Sequence, residues 1–187
     1  MTLSSLSTMR YRDYKNFASG QCYHLYNRGE GKQDIFLDDD DRRFFLMRLK
    51  EYLWPDKVQT KPSIGGYIRK PLPPGSFNLL AYCLMPNHFH LLIKQLTNLS
   101  ISKLIARVCT SYSVYFNKKY ERVGHVFQDQ YKAVLVEHDS YLTWLSAYIH
   151  ENPKVAGLVS NLEDYTWSSY KDYLGLRQGT LCNKNLF

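Results

Sequence analysis

The chain is poor in cysteine, and its four cysteines are scattered. They stand at positions 22, 83, 109 and 182, and no two of them form a Cys-x-x-Cys pair. The sequence therefore offers neither a disulfide framework nor a zinc ribbon, and we expect a protein of the reducing cytoplasm. It also lacks any apolar run close to the roughly 20 residues that cross a bilayer, and residues 1–10 have no apolar core of the secretory kind. We therefore expect no membrane partner.

Acidic residues are the scarcer charged class. The chain has 24 lysines and arginines against 17 aspartates and glutamates, which gives a formal net charge of +7. A basic surface attracts polyanions, and counterion release favours binding to a phosphate backbone. Sixteen tyrosines and nine phenylalanines accompany this charge, and aromatic faces can stack on unpaired bases. Composition makes nucleic acid a candidate partner, although most of the aromatic residues are needed for a core.

The most informative segment is YCLMPNHFHLLIK, at residues 82–94. Its alternation predicts a strand, and because side chains alternate faces along a strand, His88 and His90 point to the same side. Phe89 points to the other side, where it can pack against a core. Two neutral imidazoles side by side can begin a divalent metal site. The same pattern also occurs on solvated strands, so the spacing alone leaves both interpretations open.

Hydrophobic periodicity predicts the order strand, helix, strand, strand, helix, strand, helix. This is the order of a ferredoxin-like α+β sandwich, an antiparallel sheet with helices packed on it. Asn152-Pro153 is predicted to end the last long helix and to begin another short one, since Asn is a favoured N-cap and Pro a favoured first residue. The predicted strands are 21–28, 77–84, 88–94, 124–128 and 131–137, and the predicted helices are 43–53, 100–120 and 140–149.

We expect a single domain over residues 1–187, with three appendages. Residues 1–19 are polar and are expected to be flexible. Segment 55–76 is rich in proline and basic residues, and it is either a solvated linker or an excursion that contacts a phosphate backbone. Residues 160–187 are predicted to form an irregular C-terminal wrap, whose Trp167 and Tyr170 either stack on bases or pack against the sheet.

A metal held by two histidines needs further ligands, and the last long helix offers one. Tyr148 and Asn152 are four residues apart and therefore share a face of that helix. The asparagine carbonyl can complete a site for a hard divalent ion, and a phenol beside that ion is a serviceable nucleophile towards a phosphodiester. Tyr112, Tyr115 and Tyr141 are also helical and compete for this role. An N-cap position would explain Asn152 without any metal.

Six segments, spread over most of the chain, form a recognisable set. They are YHLYNRG at 23–29, LMPNHFHLL at 84–92, YSVYFN at 112–117, GHVFQ at 124–128, YIHENP at 148–153 and WSSY at 167–170. In content and order they resemble the REP-associated tyrosine transposases, relatives of the small single-tyrosine transposases of bacterial insertion sequences. The His-hydrophobic-His motif after Leu-Met-Pro-Asn is highly specific, and Tyr-Ile-x-x-Asn-Pro adds to it.

The resemblance implies a ferredoxin-like fold and metal-dependent nicking and joining of hairpin-forming single-stranded DNA. His88 and His90 would hold the ion, which we expect to be Mg²⁺ or Mn²⁺, and Asn152 would take the position of a third, amide-type ligand. Tyr148 would attack the scissile phosphate and leave a 5′-phosphotyrosine and a free 3′-hydroxyl. The family includes dimers with exchanged tyrosine helices, so a monomer and a homodimer are both open.

The chain departs from the family pattern in two places, neither of which touches the proposed catalytic residues. Segment 55–76 is longer than the family requires, and Gln130 stands where an arginine is expected to contact phosphate. Other basic residues are candidate DNA contacts, although such a residue is more often simply a solvated charge. These candidates are Arg28, Lys94, Lys118, Lys119, Arg122 and Lys132. His125 is expected to support the fold or contact DNA, and His150 to face away from Tyr148.

The alternative function is that of a non-catalytic module, which binds single-stranded nucleic acid on a ferredoxin-like sheet as RNA-recognition modules do. The strands lack the aromatic-glycine signature of such modules, and a His-x-His pair with a phased tyrosine has no purpose there. A chelator separates the two hypotheses, because it should stop nicking and leave simple binding unchanged. We therefore predict a transposase-like endonuclease and strand transferase.

Overall fold

Four strands and three longer helices make up the part of the chain that the structure describes. The computed structural model describes residues 17–57 and 71–184, so residues 1–16 of the predicted flexible N-terminus and most of the predicted basic excursion lie outside the described residues. The strands are β1 (Cys22–Arg28), β2 (Phe77–Met85), β3 (His88–Gln95) and β4 (Lys132–Val136). The helices are α1 (Asp39–Leu53), α2 (Ile101–Lys119) and α3 (Asp139–Val155), followed by the one-turn α4 (Tyr170–Tyr173).

All the strand pairs are antiparallel, and the order across the sheet is β2-β3-β1-β4. The chain therefore runs β1-α1-β2-β3-α2-β4, with α3 added at the end. The predicted ferredoxin-like α+β sandwich is confirmed. Among the described residues, no helix is both long and apolar enough to span a bilayer.

Helices cover both faces of this sheet. On one face, α1 and α2 pack through Phe45, Leu49 and Phe116 against Phe89 and its neighbours on β3, and these side chains are fully buried. On the other face, α3 packs through three buried residues against Leu92 and the adjoining part of β2. Those three residues are Leu142, Leu145 and Ile149. Because α3 covers only part of its face, the remaining part stays open.

Helix α1 begins earlier than the sequence periodicity predicted. The Asp38 side chain accepts a hydrogen bond from the Asp41 backbone N–H at 3.0 Å, and the Asp41 side chain accepts one from the Asp38 N–H in return. This capping box places the acidic run inside the first turn, where it interacts favourably with the helix dipole. Lys119, at the end of α2, forms ion pairs with both carboxylates at 2.7 and 2.8 Å.

The predicted break at Asn152-Pro153 is wrong, because α3 continues through both residues to Val155. A proline inside a helix leaves the carbonyl four residues earlier without its N–H donor. Here that carbonyl belongs to Ile149, and the Asn152 side-chain Nδ2 donates to it at 3.4 Å and to the Tyr148 carbonyl at 2.8 Å. The asparagine amide therefore supplies a donor that the proline removes. The helix also begins at Asp139, with His138 as its N-cap, rather than at Ser140.

The predicted strand at 124–128 is also not formed. Only a single bridge, between Gly29 and Phe127, joins this segment to the end of β1. The chain enters a 3₁₀ turn at Glu30, directly after this bridge, so the pairing does not extend into a ladder. Val126 and Phe127 are nevertheless buried against the core, which explains the apolar character that suggested a strand.

The described part of the C-terminal segment lies along the edge of β2. The Leu84 N–H donates to the Trp167 carbonyl at 2.8 Å, and the Ser169 N–H donates to the Tyr82 carbonyl at 3.0 Å. Trp167 is half-buried against the apolar residues on both faces of the sheet. The Tyr170 and His150 rings have centroids 5.8 Å apart. In the structure both aromatic residues pack against the protein, which is one of the two roles predicted for them.

Candidate active site

Strand pairing brings a polar group of side chains together on the sheet face that α3 only partly covers. His90 lies opposite Tyr26 of β1, and His88 lies opposite Arg28. Tyr26 in turn lies opposite Lys132 of β4. Because these positions share one face of the sheet, their side chains line a single cavity of about 390 Å³. Tyr148 and Asn152 of α3 line the same cavity from the helix side.

The two motif histidines lie edge to face within this cavity, with ring centroids 4.9 Å apart. His88 Nδ1 is 2.6 Å from the Asn87 side-chain oxygen, and His90 Nδ1 is 2.9 Å from His24 Nε2. In both rings Nδ1 takes part in the hydrogen bond, so Nε2 is the nitrogen that can bind an ion. Hydrogen bonds of this kind orient metal-binding imidazoles and fix their tautomers.

Burial keeps these imidazoles neutral. It lowers the pKa of His90 well below the usual range for histidine, with smaller contributions from His24 and His88. Burial and the nearby Arg28 guanidinium lower the pKa of His88 as well. A metal-binding imidazole must be unprotonated at the coordinating nitrogen, so both rings are in the state that a metal ion requires near neutral pH.

His24 is the member of this group that the sequence did not identify. Its side chain is buried, its ring stacks on His90 with centroids 5.1 Å apart, and burial lowers its pKa to about 4. A neutral His24 can accept the Nδ1–H hydrogen bond of His90, which leaves His90 Nε2 unprotonated for an ion. The alternation in β1 places His24 on the same face of the sheet as Tyr26 and Arg28. Only the register between β1 and β3 shows that His24 lies beside His90 on that face.

Tyr148 lies beside the histidine pair on the outer part of α3. Its ring meets the His90 ring edge to face, with centroids 6.2 Å apart, and its side chain is 42% exposed. Asn152 lies one turn further along, and its Nδ2 is held by the helix carbonyls described above. Its Oδ1 is therefore the amide atom available to a ligand in the cavity.

Of the six basic residues predicted to contact DNA, the structure brings two to the cavity. Arg28 is exposed there and donates from Nε and Nη2 to the Gln128 side chain at 3.2 and 3.0 Å, and Lys132 lines the cavity wall. Gln130, in place of the expected arginine, lines it together with Asp129.

The other four basic residues lie elsewhere. Lys94 is on the same face but beside Cys22, in a separate hollow, and Lys118 is exposed on α2. Lys119 forms ion pairs with Asp38 and Asp41, as described above. Arg122 donates to the Gln33 side chain at 3.2 Å and has its guanidinium over the Phe116 ring.

Two further histidines do not belong to the cavity. His125 is exposed, and His150 is buried with its Nε2 2.7 Å from Ser169 Oγ. The Ser169 hydroxyl lies 3.0 Å from the Tyr82 N–H, so His150 helps to join α3 to the C-terminal segment and β2. His150 thus faces away from Tyr148, as its two-residue spacing on a helix predicted.

The three predicted metal ligands at the cavity are two imidazoles and one amide. Among the described residues, no three His, Cys, Asp or Glu side chains are grouped so that they could hold a metal ion by themselves. Imidazole nitrogens suit borderline ions, whereas an amide oxygen with water suits harder ones such as Mg²⁺ and Mn²⁺. The neutral imidazoles and the amide oxygen that remains available fit such an ion.

The chain belongs to the IS200-like transposase family, whose model matches residues 50–152. In fold it is similar to a REP-associated tyrosine transposase solved bound to a REP hairpin, with a TM-score of 0.63 and 11% sequence identity. That match covers 94% of this chain and 99% of the other. A candidate transposase from Deinococcus radiodurans matches with 12% identity and a TM-score of 0.44, over 75% of this chain and 96% of the other. No curated protein matches the chain.

Proposed function

We propose that this protein is a metal-dependent endonuclease and strand transferase that cleaves hairpin-forming single-stranded DNA through Tyr148. The observation that carries the proposal is the position of the Tyr148 ring, 6.2 Å from the His90 ring in a cavity that both motif histidines line. Family membership supports a transposase-like function. The hairpin bound to the structural relative supports the choice of substrate.

His88, His90 and Asn152 would hold Mg²⁺ or Mn²⁺ through their nitrogen and oxygen donors. When bound, such an ion polarises the scissile phosphate and stabilises the charge that develops on it. Asn87 and His24 orient the two imidazoles through the hydrogen bonds at 2.6 and 2.9 Å. Arg28 and Lys132 add positive charge at the cavity, where they can neutralise neighbouring phosphates.

In the cleavage step, the Tyr148 phenolic oxygen attacks the scissile phosphorus. A phosphorus–Oη bond forms and the bond from phosphorus to the 3′-oxygen breaks, while the phenolic proton passes to solvent and the departing 3′-oxygen takes up a proton. The products are a 5′-phosphotyrosine and a free 3′-hydroxyl. The phosphodiester has been exchanged and not hydrolysed, so a 3′-hydroxyl can later attack the phosphotyrosine and rejoin strands without a separate energy source.

Tyr148, His88 and His90 line the cavity from one and the same chain. Tyr148 on α3 and the histidines on β3 approach each other within the same molecule, so a monomer contains every residue that the proposed reaction needs. The proposal therefore does not depend on exchange of the tyrosine helix with a partner subunit.

The proposal is tested with an end-labelled hairpin oligonucleotide that carries single-stranded flanks, incubated with the protein and Mn²⁺ and resolved on a denaturing gel. We expect a protein-linked DNA band that EDTA prevents. Tyr148→Phe should abolish that band and leave hairpin binding in EDTA unchanged, because only the nucleophilic oxygen is lost. Tyr115→Phe, on the opposite side of the sheet, is the matched control and should cleave normally. Cleavage retained by Tyr148→Phe would contradict the assignment, and binding without cleavage by the wild-type protein would favour a non-catalytic binding module.

A further inference from the structure

Helix α3 carries a row of three aromatic side chains on its outer surface. The Tyr141 and Trp144 rings have centroids 5.6 Å apart and planes inclined by 16°, and the Trp144 and Tyr148 rings have centroids 5.5 Å apart and planes inclined by 12°. The three rings are therefore nearly parallel and follow one another along the helix. The last ring of the row belongs to the proposed nucleophile.

Two of the three rings, Trp144 and Tyr148, lie outside the core, whereas Tyr141 is half-buried against it. The core-facing side chains of α3 are Leu142, Leu145 and Ile149, whereas Trp144 is 57% exposed. The other two tryptophans, Trp54 and Trp167, are half-buried against the core. Tryptophan is usually well buried, so a tryptophan this exposed between two other rings indicates a surface that binds something.

We propose that Trp144 and Tyr141 form a stacking platform for the unpaired nucleotides that adjoin the scissile phosphate. This inference rests on the proposed function, because it assumes that a DNA strand reaches Tyr148. Bases have flat faces that stack on aromatic side chains with little dependence on sequence. The platform would therefore hold the single-stranded flank of a hairpin and direct its phosphate to the cavity.

Continuity with the cavity favours a nucleic-acid strand as the occupant. The row ends at Tyr148, which lines the cavity together with Arg28 and Lys132. The four-residue step from Trp144 to Tyr148 advances about 6 Å along the helix, which is about the span of one nucleotide. A strand whose phosphate lies at Tyr148 thus has its neighbouring base within reach of Trp144. The net charge of +7 complements the same strand.

The test measures binding by fluorescence anisotropy in EDTA, with two labelled hairpins that differ only in whether they carry single-stranded flanks. Trp144→Ala should weaken binding of the flanked hairpin by about tenfold or more, the loss typical of one stacked base. Binding of the unflanked hairpin should stay unchanged, and Trp144→Phe should retain most of the affinity. Val114→Ala removes an exposed apolar side chain from α2, away from the row, and is the matched control.

A second measurement uses the unaltered protein, so that it does not depend on the folding of a variant. Abasic sites in the flank should weaken binding to the wild-type protein as much as Trp144→Ala does. The same abasic sites should add little to the loss in Trp144→Ala, because the base and the ring are partners in one contact.

The outcomes separate this inference from the proposed function. If Trp144→Ala binds and cleaves the flanked hairpin like the wild-type protein, the stacking platform is ruled out and the proposed endonuclease activity is retained. If Trp144→Ala instead dissociates a wild-type dimer in solution and binds DNA normally, the row is a self-association surface and the platform is again wrong. If the wild-type protein neither binds nor cleaves flanked hairpins, both proposals fall.

Discussion

Phe89 and His90 are neighbours on β3, yet they lie on opposite faces of the sheet in different surroundings. Phe89 is fully buried and meets the Phe45 and Phe127 rings, in the core that α1 and α2 cover. His90 meets His24, His88 and Tyr148, at the edge of a cavity. One face of the sheet provides stability, and the uncovered part of the other face carries the candidate chemistry. The pleat of a strand allows both roles because adjacent side chains share no environment.

The largest expected effect is a loss of stability on the sheet face that α1 and α2 cover. Phe89→Ala should lower the free energy of unfolding by about 3–5 kcal/mol, because it removes buried apolar surface and leaves a cavity. Phe89→Leu keeps most of the volume and should cost less than about 1.5 kcal/mol. Urea unfolding followed by circular dichroism measures both variants. Equal losses would mean that this face is not tightly packed around Phe89.

The next effect concerns the cavity face. His88→Ala and His90→Ala should each lower Mn²⁺-dependent cleavage by more than about 100-fold, since each removes a proposed ligand of an ion that stabilises several kcal/mol of developing charge. Hairpin affinity in EDTA should change little. Single-turnover cleavage and anisotropy measure the two quantities, with the exposed His138→Ala as the control. A cleavage rate that either variant leaves unaltered would remove that histidine from the metal site.

A smaller effect is expected for His24, which touches His90 but does not itself line the cavity. His24→Ala should weaken Mn²⁺ binding by about 10–100-fold, the range found when a residue that orients a metal ligand is lost. His24→Gln offers an amide oxygen near the lost Nε2 and should recover part of the affinity. Calorimetric titration with Mn²⁺, in the absence of DNA, measures this directly. No recovery with glutamine would indicate that His24 only fills space.

Per group and per pH unit, the smallest effect is a pH dependence that belongs to the sheet face on which α3 packs. Burial lowers the pKa values of His24 and His150 to about 4, from an ordinary value of 6.5. Between these values the unfolded chain binds more protons than the folded one, so stability is complete above about 6.5 and falls as the pH falls towards 4. Each group should contribute up to about 1.4 kcal/mol per pH unit.

Urea unfolding at pH 7, 6 and 5 checks this dependence. His150→Gln should make the decline in unfolding free energy shallower, whereas His138→Gln, which changes an exposed side chain, should leave it as it is. Among the described residues, the core between the sheet and helices α1 and α2 has no buried histidine. If the unfolding free energy fell equally steeply with pH in His150→Gln and in the wild-type protein, the assignment of acid sensitivity to the histidines on the α3 face would be contradicted.

Local patterns predicted much of this molecule. The alternation in β3 predicted that His88 and His90 share a face, and Ser100 and Tyr120 marked the limits of α2 because they are its caps. Such features depend on a few neighbouring residues. The antiparallel order followed from the sequence of strands and helices, because few topologies accommodate that order.

What the sequence did not reveal depends on contacts between distant residues. The link from His24 to His90 requires the β1–β3 register, which no local pattern specifies. The passage of α3 through Pro153 depends on the Asn152 amide, which lies close to the Ile149 carbonyl that the proline leaves without a donor. The aromatic row on α3 was not predicted, since aromatic residues at helical spacing usually face a core and the exposure of Trp144 depends on how α3 packs on the sheet.

The most direct test of the central claim is peptide mass spectrometry of the protein after reaction with a flanked hairpin and Mn²⁺. The account predicts a single peptide that carries a nucleotide phosphate on Tyr148, with the released strand ending in a 3′-hydroxyl. An adduct on another tyrosine, or cleaved DNA with no adduct on the protein, would contradict a nucleophile on α3 beside the histidine pair.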